Sequence, residues 1–337
     1  MESASAGPNP GLIFQLALAY RSSAAFFTAS DLDVFTHISD GALTAAEIAH
    51  RTGAAPEPLR MVLETCADLG LLARDGEKFR NTPTSTVFLL KGRPAYLGDS
   101  LKYARDLYPA WGALTKLVET GKPTMPPETI LGDDKAKTRA FVMAMHERAK
   151  GIGSVLPHNV SLAGRTRLID IGGGPGTYSV ALCRQTPGLT STVLDRPGVL
   201  EVTRELIDAS GIADRITLLP GDYLKTPFGT GYDCALLSGM MHRETPDNVN
   251  VLLQKTFAAL EPGGQVMVSD VFFDDDRKNT PPFTTSFALN MMLTSNHGSA
   301  HAKTEMTRWM EANGFRSITI NDMPKPNPHT LILGNKP

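Results

Sequence analysis

The residues best suited to chemistry stand together at Leu168-Ile169-Asp170-Ile171-Gly172-Gly173-Gly174-Pro175-Gly176, a buried-strand pattern that runs into a glycine loop and then a helical stretch over Thr177 to Arg184. Glycines there let the backbone turn sharply and approach a ligand closely. A dinucleotide fingerprint G-x-G-x-x-G counted from Gly172 puts its third glycine at position 177, which is Thr177, so that reading weakens. Asp195 ends the next strand at about the 20-residue offset where an acid bonds the ribose hydroxyls of a nucleoside cofactor. Gly221-Asp222-Tyr223 ends the third strand, where a short acidic loop can contact an adenine edge. All three features fall at carboxyl ends of neighbouring strands, where open α/β sheets bind ligands. The loop alone could be a tight strand-to-helix turn; the combination points to an adenosyl cofactor. His242 follows the fourth strand closely and belongs to the same sheet edge.

The elements that must hold these residues alternate from Arg165 onward as strands and helices, the pattern of a doubly wound sheet. Strands are expected over 167–171, 191–194, 216–219, 234–237, 265–269, 317–320 and 330–333. Only a short Pro-rich stretch separates the last two, too little for a crossover helix, so they must pair antiparallel. A nearly parallel seven-stranded sheet ending in such a hairpin is not the usual dinucleotide-binding domain.

Upstream, a helical pattern opens at Asp31, and Thr44-Ala45-Ala46-Glu47 is a capping box. Leu59, Val62, Leu63, Cys66 and Leu69 carry helical spacing, and Gly70 to Asn81 reads as a hairpin about Asp75-Gly76-Glu77. Three helices and a hairpin make a winged helix, a fold that often reads DNA. Here nine acidic side chains between Asp31 and Arg80 face five basic ones, a balance that repels a phosphate backbone. The segment Leu12 to Phe27 is apolar but interrupted by Gln15, Arg21, Ser22 and Ser23, with no basic stretch before it. It reads as a helix with more apolar surface than its own domain can cover, hence a dimer contact, rather than a signal peptide or membrane span. Residues 94–150 continue helical, with a Pro-rich break at Pro123 to Pro127.

The 337 residues suggest two domains, and 42% hydrophobic with 20% charged residues is ordinary globular composition. A net charge of −2 favours neither a polyanion nor an anionic membrane. Cys66, Cys183 and Cys234 are an odd number at wide separations, expected reduced and buried in a cytoplasmic protein. No metal-ligand spacing is present.

Taken together and in order, these motifs resemble the class I S-adenosylmethionine-dependent small-molecule O-methyltransferases of the caffeic acid and acetylserotonin type. Asp170 to Gly176 is similar to that family's cofactor loop, Asp195-Arg196-Pro197 to its Asp-x-Pro element, Gly221-Asp222-Tyr223 to its Gly-Asp-aromatic element, and Leu260 to Gly264 to its Leu-x-Pro-Gly-Gly turn. The resemblance implies a Rossmann-like methyltransferase domain over 151–337, linker and substrate-pocket helices over 94–150, and a winged-helix dimerisation domain over 1–93, forming a homodimer. It implies His242 as general base, supported by Asp270. S-adenosylmethionine would be held by Asp170, Gly172, Gly174, Asp195, Arg196, Gly221, Asp222, Tyr223 and Ser238. An aromatic hydroxylated acceptor would lie against Phe141, Met145, His146, Phe287, Asn290, Met291 and Met292, with no metal. Departures from the family pattern are Arg243-Glu244 after the base where Asp-Trp is usual, Ser238 at a usually basic position, and Ala300, with His301 beside it, where a second acid is usual. Methyl transfer to carbon or nitrogen, a cofactor-retaining decarboxylation or hydroxylation, and a winged-helix metabolite sensor remain as alternatives.

Overall fold

Capping chemistry and apolar spacing build the first of two units into which the chain divides, 1–105 and 106–337. The computed structural model describes residues 7–125, 134–275 and 281–337, so Pro126 and Pro127 of the expected break lie outside the described residues. Unit one runs α1 (Pro10–Leu18), α2 (Tyr20–Asp31), α3 (Val34–Ile38), β1 (Ala42–Thr44), α4 (Ala45–Thr52), α5 (Pro56–Asp68), β2 (Leu72–Asp75), β3 (Lys78–Asn81) and α6 (Pro83–Phe88). The single helix expected over Leu12 to Phe27 is in fact two: at Ala19 the N–H donates to Leu16 O, three residues back instead of four, which breaks the helical ladder. No residue of α1 is buried, and Leu12, Ile13, Phe14 and Leu16 are each more than half exposed. By length and composition Pro10–Asp31 could cross a membrane. Its second half, however, packs on α5 and adds Ala29 and Phe26 to the core around Phe35, Ile48, Leu63 and Cys66.

The capping box forms as its residues dictate. Thr44 Oγ1 accepts from Glu47 N at 3.3 Å, and the Glu47 carboxylate accepts from Thr44 N at 2.7 Å. The expected hairpin β2–β3 gains a third strand, β1, paired to β3 with Ala42 opposite Arg80. Three residues are too few for a visible alternation, so β1 left no sequence signal. Two basic side chains of this unit are engaged: Arg60 on α5 pairs with Glu57, and Arg74 on β2 with Glu64 and Asp68.

Helix α7 (Gly98–Gly112) carries the chain into unit two, which continues with α8 (Leu114–Thr120), α9 (Lys135–Val155), β4 (Arg167–Ile171), α10 (Thr177–Gln185), β5 (Thr190–Asp195), α11 (Pro197–Asp208), β6 (Ile216–Pro220), β7 (Tyr232–Ser238), α12 (Pro246–Ala259), β8 (Leu260–Asp270), α13 (Pro282–Thr294), α14 (Lys303–Ala312), β9 (Arg316–Asp322) and β10 (Thr330–Asn335). The seven strands lie in the order β6-β5-β4-β7-β8-β10-β9. The last strand of the chain, β10, runs antiparallel to both β8 and β9, and the other described pairings are parallel. Period-two alternation divides the core: Ile169, Ile171, Leu237 and Val268 face one layer, Leu168, Leu236 and Met267 the other. Strand order reverses between β4 and β7, which opens a crevice at their carboxyl ends, the place such sheets bind ligands. All three cysteines are free and buried.

Candidate active site

The glycine loop leaves β4 at this switch point. Gly172 and Gly173 donate to Leu194 O at 2.9 and 3.3 Å, which folds the loop back over β5. Gly172 has φ 66°, and a Cβ there would sit 3.4 Å from Met240 Cγ and 3.6 Å from the Tyr223 ring. At Gly173 it would lie 2.7 Å from Asp170 Cγ and 2.9 Å from Val193 Cγ1, too close for any side chain. The loop is therefore bare backbone for a packing reason as well as a conformational one.

Asp195, at the end of β5, accepts from Gly174 N at 2.8 Å and from Arg196 N at 2.7 Å. Burial raises its carboxyl above the ordinary value against the pull of these two N–H groups. Asp170 is 1% exposed; one oxygen accepts from Ser179 Oγ at 2.6 Å, and the other has no partner. Burial pushes its carboxyl up to about 7, with the neighbouring Asp195 adding to the rise. Ser238 Oγ, at the end of β7, is likewise buried and without a partner. Gly221 N donates to Asp195 O at 2.9 Å, and Asp222 Oδ1 accepts from Leu224 N at 3.0 Å, so the third loop closes on the second. Tyr223 donates its hydroxyl to Glu244 Oε1 at 2.5 Å.

His242 sits on the 3-10 turn Met241–Arg243 just after β7, 8% exposed. Its Nδ1 lies 2.8 Å from Asp270 Oδ1, and its backbone N donates to Asp270 Oδ2 at 3.2 Å. Val271 N donates to the same Asp270 Oδ1 at 2.8 Å. Burial by itself would raise the Asp270 carboxyl, but the hydrogen bonds from His242 and Val271, with the charges that His242 and His329 carry when protonated, together hold the group below its ordinary value. A carboxylate accepts, so Nδ1 carries the proton and Nε2 keeps a free lone pair. The imidazole meets Phe287 edge-on, ring centroids 4.8 Å apart at 82°, and Phe283 stacks on Phe287.

Ala300, where a second acid was expected, is buried and apolar. Its neighbours support the turn instead: Ser299 N donates to His242 O at 2.8 Å, and His301 Nε2 donates to Met241 O at 3.0 Å. The α13 residues gather near His242 through Phe287. Asn290 Oδ1 accepts from Trp111 Nε1 at 3.1 Å, and Met291 is 5% exposed. Met292 is two-fifths exposed. On α9, His146 Nδ1 lies 2.8 Å from Thr177 Oγ1 at the start of α10, and burial, helped by Lys150, lowers its pKa to about 4. Met145 is half-buried beside it, whereas Phe141 packs against Val142, Val199 and Val202. Trp111, Ser299 and Glu244 were not singled out as site residues from sequence. Trp111 and Ser299 each reach a partner across a long sequence gap by a single polar contact, and Glu244 reaches Tyr223 across 21 positions, which leaves no periodic trace.

Residues 114–316 match the model of the O-methyltransferase domain, and residues 14–91 that of the O-methyltransferase dimerisation domain. The tetracenomycin polyketide synthesis 8-O-methyl transferase of Streptomyces glaucescens is 30% identical, with 97% of each chain covered. An N,N-dimethyltransferase of Streptomyces rimosus is 28% identical over 96% of each chain. The fold is shared with human N-acetylserotonin methyltransferase, solved in complex with S-adenosylmethionine: TM-score 0.89, 24% identity, 99% of each chain.

Proposed function

This chain belongs to the O-methyltransferase family and carries that family's dimerisation domain, and from this premise we propose that it methylates a hydroxyl of an aromatic small molecule, with His242 as general base. The observation that carries the proposal is the His242–Asp270 pair at 2.8 Å, buried at the same sheet edge as the glycine loop.

The residues fit S-adenosylmethionine. Two buried acceptors, one oxygen of Asp170 and Ser238 Oγ, are unpartnered, and the Gly172 to Gly174 backbone is bare. Asp195 uses two of the roughly four lone-pair sites of a carboxylate on backbone N–H groups, which leaves acceptor capacity for the vicinal hydroxyls of a ribose. Asp170, Gly172, Gly174, Asp195, Arg196, Gly221, Asp222, Tyr223 and Ser238 would hold the cofactor. When bound, S-adenosylmethionine supplies a methyl group activated by its sulfonium.

A phenol, with a pKa near ~10, is a weak nucleophile until its proton is removed. His242 Nε2 can take that proton, because Asp270 fixes Nδ1–H and stabilises the imidazolium that forms. Phe287, edge-on to His242, and Phe283, stacked on it, provide apolar surface suited to a flat ring. The Trp111–Asn290 contact, together with Met291, would orient the same ring, and Met145 and His146 would close the acceptor side from α9. The exposed apolar face of α1 would be covered by a second copy of the chain, making a homodimer.

The test is transfer of labelled methyl from S-adenosylmethionine to phenols, catechols and hydroxyquinones, with mass analysis of the methylated atom. An O-methyl product is expected. A product methylated only on nitrogen or carbon would overturn the hydroxyl reading, and the N,N-dimethyltransferase relative makes aromatic amines the right control panel.

A further inference from the structure

The residue after Arg243 is where this sequence departs from the pattern that its motifs resemble, and the structure gives that residue a definite task. Glu244 ends the 3-10 turn that carries His242, its N–H donating to Met241 O at 3.1 Å. Its carboxylate reaches in two directions. One oxygen accepts from the Tyr223 hydroxyl at 2.5 Å, the other from Asn248 Nδ2 on α12 at 2.7 Å. The Tyr223 ring lies where a Cβ on Gly172 would touch it at 3.6 Å, so it forms one wall beside the bare glycine loop. Met240, which leads into the same turn, forms the adjoining surface at 3.4 Å. Lys255, also on α12, donates to Tyr223 O and holds the backbone of that wall. Burial, reinforced by the Glu244 charge, keeps the Tyr223 phenol protonated and therefore a donor.

We propose that Glu244 is a positioning residue that joins the cofactor wall to the base: by accepting from Tyr223 and Asn248 it fixes the aromatic ring against the glycine loop and anchors the end of the turn that presents His242. The inference rests on the proposed cofactor reading. Tyr223 and Glu244 are 21 positions apart, and they make one unit of two loops that would otherwise move separately. Cofactor affinity and base placement then depend on the same carboxylate.

The experiment is binding of S-adenosylhomocysteine by calorimetry to full-length wild type, Glu244→Ala, Glu244→Gln, Tyr223→Phe and the Tyr223→Phe/Glu244→Ala double variant, with thermal unfolding of each. Glu244→Ala should weaken binding about tenfold to a hundredfold, the usual worth of a hydrogen bond to a charged group. Glu244→Gln, whose one amide oxygen still accepts from Tyr223 and whose NH2 can donate to Asn248 Oδ1 once that amide flips, should stay within about threefold of wild type. The double variant should bind no more weakly than Glu244→Ala alone, because both changes break one contact. In turnover, Glu244→Ala should raise KM for S-adenosylmethionine and lower kcat together. If Glu244→Ala does not fold, the remaining arms decide: Tyr223→Phe must weaken binding about tenfold while Glu244→Gln does not. Wild-type binding with independent, multiplicative losses, or with Gln as harmful as Ala, would overturn the positioning role alone. Failure of the wild type to bind S-adenosylhomocysteine would overturn the cofactor reading and this inference with it.

Discussion

Replacing Asp170 by Asn separates what the fold loses by burying this carboxyl from what a cofactor gains from it. The side chain is 1% exposed, one oxygen is unpartnered, and burial lifts the group from 3.8 to about 7. At about 1.4 kcal/mol per pH unit, this rise corresponds to roughly 4 kcal/mol withheld from the ionised folded state. The folded pKa lies above the unfolded one, so this cost is absent below about pH 4, grows through the window from 4 to 7, and is complete above 7. Asn keeps an acceptor for Ser179 Oγ and removes the charge. The ligand-free Asp170→Asn protein should therefore melt on the order of 5–10 °C higher than wild type at pH 8, with the difference shrinking toward pH 4. A cofactor bound with a cationic group beside Asp170 would reverse the balance. Wild-type affinity for S-adenosylhomocysteine should fall about fivefold from pH 7 to pH 6, because a proton must leave before the ligand binds, and the variant should bind weakly with no such dependence. Scanning calorimetry and titration calorimetry at several pH values measure both. A variant less stable than wild type at pH 8, or a wild-type affinity flat from pH 6 to 8, would refute the reasoning.

Three further outcomes are expected. Deleting residues up to Leu18 removes an exposed apolar helix with no buried residue, so it should convert a dimer to monomer by sedimentation without lowering the melting temperature of unit two; unchanged assembly would count against α1 as the contact. Asn290→Ala leaves the Trp111 indole N–H without its acceptor and should raise the acceptor KM about tenfold while S-adenosylhomocysteine affinity stays put. Thr44→Ala removes one half of the capping box and should cost about 1 kcal/mol in denaturant unfolding of unit one.

Much of this architecture is legible in sequence because it is written in local patterns. Asp170 to Gly176 announces a strand, a loop and a helix start, and the loop glycines meet two different demands: a left-handed φ at Gly172, Gly174 and Gly176, and no room for a Cβ at Gly173. The strands of unit two are visible as short apolar runs, and the short link between β9 and β10 dictates their antiparallel pairing. Local patterns fail where a single residue decides. Ala19 has nothing in its side chain to mark a helix break, and β1 is too short to alternate. The site shows the same division. His242 and Asp270 are found because one follows β7 by four positions and the other closes β8, where the motifs of the resembled family place them, whereas the Tyr223–Glu244 and Trp111–Asn290 contacts come from tertiary packing across 21 and 179 positions. A substitution that reads as a departure, Glu244 after His242-Arg243, has a partner in the fold that no linear spacing reveals.

The central claim is that His242 takes the acceptor proton, and it is tested most directly by the single-turnover methyl-transfer rate of His242→Ala beside wild type, with S-adenosylmethionine saturating and with whichever hydroxylated acceptor the panel identifies. A loss of about a hundredfold or more, with cofactor affinity unchanged, is the predicted result for a positioned general base. A rate within a few-fold of wild type would contradict it and assign activation of the acceptor to another group.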